Sequence, residues 1–165
     1  MKEVGGYFTE EMHYRWGGMP NAAIVEKLNE MQGLKLDPED VVKRKHRHYL
    51  ERVEGVKPIA EVVELARKYA ETAKVAVASG GRRVLVERTL GVLGLLDLFP
   101  VIVTADDYRE GKPNPEPFLL AATKMGVAPG DCLVFDDGET GIEAARRAGM
   151  SSVQVPSAPE EFRNL

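Results

Sequence analysis

Three short stretches of the chain carry residue types suited to a phosphate group and a hard divalent cation. Ser79-Gly80-Gly81 sets a hydroxyl beside two glycines. The glycines let the backbone approach an anion closely, and a helix starting after them offers N–H groups at its positive end. The same residues also suit a tight turn in which Ser79 is only a cap. Gly111-Lys112-Pro113-Asn114-Pro115-Glu116-Pro117 holds a lysine in a proline-stiffened loop, where its ammonium can meet a phosphoryl oxygen as a point charge. The plainer alternative is a surface lysine beside a helix-starting proline. Phe135-Asp136-Asp137-Gly138-Glu139-Thr140-Gly141 sets two carboxylates side by side. They repel, and Mg²⁺, which takes oxygen ligands and keeps several waters, relieves that repulsion. Here the alternative is that one Asp caps the following helix.

The elements that must position these residues follow from hydrophobic periodicity. After Pro58 the pattern alternates helices with short, continuous apolar runs, which marks strands covered on both faces. Strands are predicted at Lys74–Ser79, Val101–Val103, Cys132–Phe135 and Ser152–Val155, with helices from Ile59, Arg82 to Leu93, Glu116 to Met125 and Glu139 to Ala148. This order implies right-handed parallel crossovers and a three-layer, Rossmann-like α/β sheet. Ligands in such sheets bind at the carboxyl ends of the strands. All three stretches follow a strand, so they converge on one crevice, and this set serves phosphoryl transfer.

Before Gly55 helices dominate. Ile24, Leu28 and Met31 form one stripe of a helix that ends near Gly33. Asp37-Pro38-Glu39-Asp40 then supplies an N-cap, a proline at the first helical position and first-turn acids. The next helix carries Val42, His46, Tyr49 and Val53 on its apolar side, leaving Lys43, Arg44, Lys45, Arg47 and His48 as a face turned largely to water. The chain thus divides into a helical part, residues 1–55, and an α/β core, residues 56–165.

Composition excludes other classes. The net charge is −4 over 165 residues without long blocks of either sign, which argues against nucleic acid or a membrane surface as partner. No apolar run approaches the roughly 18 residues that span a bilayer. Cys132 is the only cysteine and reads as a small core residue of a cytoplasmic protein. His13, His46 and His48 lack metal-ligand spacing, and the chain has neither a dinucleotide fingerprint, a Walker loop nor a serine nucleophile elbow.

Taken together, Trp16-Gly17-Gly18-Met19-Pro20, Val75-Ala76-Val77-Ala78-Ser79-Gly80, Gly111-Lys112-Pro113, Val134-Phe135-Asp136-Asp137 and Gly141-Ile142-Glu143-Ala144-Ala145 resemble, in order and spacing, the haloacid-dehalogenase superfamily. The similarity is to its β-phosphoglucomutase-like and fructose-1-phosphatase-like branch. The resemblance implies an Mg²⁺-dependent phosphatase of small phosphorylated sugars working through a phospho-aspartate. It implies that Ser79 and Gly80 bind the transferring phosphoryl group, that Lys112 neutralises its charge and orients the nucleophile, and that Asp136 and Asp137 hold Mg²⁺. Residues 1–55 then resemble most of a cap domain, with Gly18, Met19, Pro20 and Asn21 in the loop that selects the sugar.

The sequence departs from that family in one respect. Its aspartates stand at 37, 40, 97, 106, 107, 131, 136 and 137, so no two are separated by a single residue. The family's Asp-x-Asp motif, whose first Asp attacks phosphorus, is expected before Met1. Relatives also keep the strand bearing that motif between those matching Lys74–Ala78 and Cys132–Phe135. Without it the 165 residues alone are expected to be inactive, with two apolar strand edges unpaired and self-association left open. A phosphoglucomutase, or a non-catalytic remnant that binds phosphate or a partner protein, are the competing readings.

Overall fold

The computed structural model describes residues 6–9, 11–12, 16 and 19–156. Its first helix, α1 (Asn21–Gln32), ends at Gly33, whose φ of 63° lets its own N–H and that of Leu34 return to the Asn29 carbonyl. A side chain would be strained in that left-handed conformation. Helix α2 (Pro38–Arg52) starts as its sequence predicts: Asp37 accepts from the N–H groups of Glu39 at 2.9 Å and Asp40 at 3.4 Å. A 3₁₀ turn at Val53–Gly55 closes the helical part.

One expectation for this part is corrected. Met31 is exposed, and Val25 joins Leu28 in the core instead. Gln32 lies on the same side and pairs in both directions with the Tyr7 backbone, which rotates the buried stripe by about 100°, one residue, away from Met31. Lys45 is exposed, as expected, and its ammonium also donates to Asn21 Oδ1 at 2.8 Å, with desolvation lowering its pKa.

The second part runs α3 (Ala60–Ala70), β1 (Ala76–Ala78), α4 (Arg83–Val92), β2 (Val101–Val103), α5 (Glu116–Met125), β3 (Leu133–Asp136), α6 (Glu139–Arg147) and β4 (Ser151–Gln154). Strand β1 pairs in parallel with β2, and β3 in parallel with β4, with Val77 opposite Ile102 and Val134 opposite Ser152. Helices cover both faces. Tyr69 of α3 meets Phe135 of β3 with ring centroids 5.6 Å apart. On the other side Val134 packs with Phe118 and Ala122 of α5 and Ala144 and Ala145 of α6. The fold is therefore α/β and Rossmann-like, as the pattern predicts. Among the described residues the sheet is divided: β1 and β3 do not pair. A cavity of about 590 Å³, lined along both strands and by residues of α3 and α5, lies between them. Among the described residues, no helix is long and apolar enough to cross a membrane.

Candidate functional site

Strand β1 ends at Ala78, so Ser79 emerges at its carboxyl tip. The Ser79 N–H donates to the Val103 carbonyl at 2.9 Å, which ties the serine to the end of β2. Its Oγ accepts the Gly81 N–H at 3.1 Å. This is the turn-closing role the residues alone allow, and it leaves the hydroxyl proton to be donated elsewhere. Gly80 is exposed beside it, close to Tyr108 Oη, which donates to the Ser79 carbonyl at 3.0 Å.

The start of α4 offers fewer open N–H groups than its position suggests. Asp106 accepts the Arg83 N–H at 2.8 Å and pairs with Arg82. Asp107 is occupied as well, accepting from the Thr104 N–H and hydroxyl and from Arg83 at 2.6 Å. Burial works against its charge, yet the Thr104 bonds, with Arg83 and Lys124, outweigh it and hold the pKa at about 2. Both carboxylates therefore fasten the loop after β2 to α4. The sequence marks them only as two acids after a strand; their partners, 23 and 24 residues away, become visible in the fold.

Lys112 is held from several directions. The Lys112–Pro113 peptide bond is cis. Beyond it, Asn114 Oδ1 accepts the Glu116 N–H at 2.9 Å, while the Glu116 carboxylate accepts the N–H groups of Glu110 and Arg109. Those two backbone donors pull the Glu116 carboxyl below its usual range. Lys112 Nζ lies 4.7 Å from the centroid of the Phe118 ring and donates to the Ala78 carbonyl at 3.0 Å and to Asp136 Oδ2 at 2.7 Å. An ammonium has three protons, so one remains for an incoming anion.

Asp136 closes the arrangement. Its Oδ1 accepts the Gly138 N–H at 2.9 Å. Its carboxylate lies over the backbone of Gly141, where any Cβ would overlap it. The glycine is thus required for steric reasons, which its spacing in the sequence does not reveal. Asp137 is exposed, and its carboxylate makes no hydrogen bond or ion pair among the described residues. The two neighbouring acids therefore differ in role: Asp136 is tied to Lys112 and Asp137 is open.

The donor set suits Mg²⁺. Among the described residues no group of three or more His, Cys, Asp or Glu side chains converges. Mg²⁺ is commonly held by one or two carboxylates, with waters and a substrate phosphate completing its shell. Asp137, with Asp136 beside it, fits that requirement. Two carboxylates and one ammonium leave the site with one negative charge, which a divalent ion reverses.

A second cavity, of about 640 Å³, lies between the helical part and the core. Ser79, Gly80 and Gly81 line it from the core, and Met19, Asn21, Lys45 and His46 line it from the helical part. Burial, and then the charges of Lys45 and Arg82, lower the His46 pKa. Of the four residues expected to choose the sugar, Met19 and Asn21 face this cavity, Pro20 is exposed before α1, and Gly18 lies outside the described residues, as do Gly17 and His13. Lys45 is the residue sequence reasoning missed. It stood in a basic run, and only the contact with Asn21, 24 residues away, singles it out.

A family model described as haloacid dehalogenase-like hydrolase matches residues 5–149. The Bacillus subtilis protein YhcW is 42% identical over 148 residues, covering 86% of this chain and 67% of its own. The fructose-1-phosphate phosphatase YqaB of Escherichia coli is 34% identical over 139 residues, covering 84% of this chain and 73% of its own. Among solved structures, a β-phosphoglucomutase from Clostridium difficile superposes with a TM-score of 0.80 at 22% identity, over 94% of this chain and 73% of that one.

Proposed function

We propose that this chain, which belongs to the haloacid dehalogenase-like hydrolase family, is the phosphate- and metal-binding part of a phosphatase of small phosphorylated sugars. The observation that carries the reading is Lys112, which joins the carboxyl end of β1 at Ala78 to Asp136 at the end of β3. Relatives named as phosphatases of fructose 1-phosphate and of phosphorylated carbohydrates support the substrate class.

The roles follow from the geometry. The spare Lys112 proton and the Ser79 hydroxyl donate to the non-bridging oxygens of the phosphoryl group, where charge develops in the transition state. Asp136 keeps Lys112 in place. Asp137 and Asp136 would hold Mg²⁺, which when bound polarises the phosphoryl group and offsets its charge. Residues up to 55 act as a cap over the sugar, with Asn21, Lys45 and His46 facing its hydroxyls, and residues from 56 form the catalytic core. The attacking carboxylate of a phospho-aspartate mechanism is assigned to an Asp-x-Asp segment outside the 165 residues.

Three samples test this. The 165-residue chain alone should release negligible phosphate from hexose and triose phosphates with Mg²⁺. A polypeptide that also carries an Asp-x-Asp strand ahead of it should hydrolyse them, and Asp137→Asn should abolish that turnover with the fold intact. Faster release from a phosphopeptide than from every sugar phosphate, or an Asp137→Asn enzyme of unchanged activity, would overturn the reading.

A further inference from the structure

The backbone around Ser79 is held from both sides. In the Ala78–Ser79 peptide the N–H donates to the Val103 carbonyl at the end of β2, while the carbonyl accepts from Lys112 Nζ. The next peptide turns its carbonyl the other way: the Ser79 carbonyl accepts the Tyr108 hydroxyl at 3.0 Å, from the loop that follows β2. The Ser79–Gly80 peptide is trans, which sets its N–H and its carbonyl on opposite sides. The Gly80 N–H therefore points away from Tyr108, to the side on which Lys112 meets the Ala78 carbonyl. Among the described residues that N–H makes no hydrogen bond, and Gly80 is exposed.

Two successive glycines leave such a turn free to rotate. Gly80 accepts φ of either sign, so the Ser79–Gly80 plane can swing and carry its N–H out of the site unless it is gripped. Gly81 is fixed, its N–H by Ser79 Oγ at 3.1 Å and its carbonyl by the Ala105 N–H at 3.0 Å. On the Ser79–Gly80 peptide the grip is Tyr108, whose oxygen lies 3.9 Å from the place of a Cβ on Gly80. The tyrosine is itself held on both flanks. Asp107 is bonded to Thr104 and Arg83, and the Arg109 N–H to Glu116. Burial, and then the charges of Asp107, Asp106 and Glu116, raise the Tyr108 pKa. A hydroxyl that keeps its proton remains a donor.

We propose that Tyr108 is a positioning residue of the phosphate site: its hydroxyl fixes the Ser79–Gly80 peptide so that the Gly80 N–H, beside the Ser79 hydroxyl and the spare Lys112 proton, faces the phosphoryl oxygens. This rests on the phosphatase reading and adds to it a residue that touches no substrate. A donor already aimed at the anion costs no reorganisation when charge arrives, whereas one that must first be turned does. The loop after β2 thus reaches the site through a single hydroxyl.

Nuclear magnetic resonance of the full chain tests the proposal, with inorganic phosphate titrated in the presence of Mg²⁺ and the backbone amides observed. In the unsubstituted chain phosphate should move the Gly80 amide proton downfield, as a charge-assisted hydrogen bond requires. Tyr108→Phe keeps the ring and removes the hydroxyl. It should weaken phosphate binding about fivefold, the effect of one neutral hydrogen bond, and shrink the Gly80 shift at saturation while the Ser79 shift persists. Tyr49, whose hydroxyl pairs with Thr89, provides the control: Tyr49→Phe removes a bond of the same kind and should leave phosphate affinity unchanged. Equal affinity and an equal Gly80 shift in Tyr108→Phe and the unsubstituted chain would overturn the proposal and leave the phosphatase reading standing. So would the same loss of affinity in Tyr49→Phe, since general destabilisation would then account for both. Phosphate that moves neither the Ser79 nor the Gly80 amide of the unsubstituted chain would overturn the site itself, and the proposal with it.

Discussion

At the scale of single residues the site rests on one ion pair. The Lys112 and Asp136 side chains are 16% and 13% exposed, so removing one partner leaves the other buried without its counter-charge. Lys112→Met should cost about 3–5 kcal/mol in denaturant unfolding. The double variant with Asp136→Asn should recover part of that loss, because no charge is then stranded. A double-mutant cycle with zero coupling would show that the pair contributes nothing. Gly141 offers a second test. Gly141→Ala forces a methyl into the Asp136 carboxylate, and overpacking of this kind costs about 1–3 kcal/mol. Because Asp136 must move, the active polypeptide described above should also lose Mg²⁺ affinity. Calorimetric Mg²⁺ binding that matches the unsubstituted protein would contradict the steric account.

At the scale of elements, the loop between β2 and α5 is set by Asp107. Its pKa is held at about 2, below the ordinary 3.8. A depressed pKa gives stability that is present in full above the unfolded value. That stability is lost as pH falls from about 4 towards 2. The shift corresponds to about 2 kcal/mol. Thermal unfolding compared at pH 7 and pH 3 should show about half of this loss, and Asp107→Asn should flatten that part of the profile while destabilising the protein at pH 7. An unchanged profile would remove Asp107 from its role. The prediction is about stability rather than chemistry, since the carboxylate is spent on Thr104 and Arg83.

At the scale of the whole molecule, polar contacts tie the helical part to the core. Tyr49 and Thr89 share a 2.6 Å hydrogen bond, and Arg88 pairs with Glu54. The exposed ion pair is worth little. Tyr49→Phe, which removes the half-buried bond, should cost about 1 kcal/mol. It should also speed amide exchange in α2 more than in β2, if the cap opens as a unit from this tie. Equal acceleration in both would mean that the two parts unfold together.

Much of this was legible in the residues themselves. Asp37-Pro38 and Gly33 mark helix ends because capping is local, a matter of a few backbone groups and the residue beside them. Helix α5 falls on its predicted bounds because proline and glycine punctuate both ends. The apolar runs marked the strands, and their order marked parallel pairing, because covering a sheet on both faces demands continuous hydrophobicity. The types of Ser79, Lys112, Asp136 and Asp137 named the chemistry, since few other side chains suit a phosphate and a hard cation.

Tertiary structure decided what depends on contacts between distant residues. It gave Asp136 to Lys112 and left Asp137 open, a distinction two identical neighbours cannot carry in sequence. It also took Lys45 from a basic run to Asn21, and Met31 out of the core, because a helix's orientation is set by what packs on it. The sequence alone determined the local elements and the kind of chemistry. Which carboxylate meets which cation was decided by long-range packing, to which periodicity over a few residues is blind.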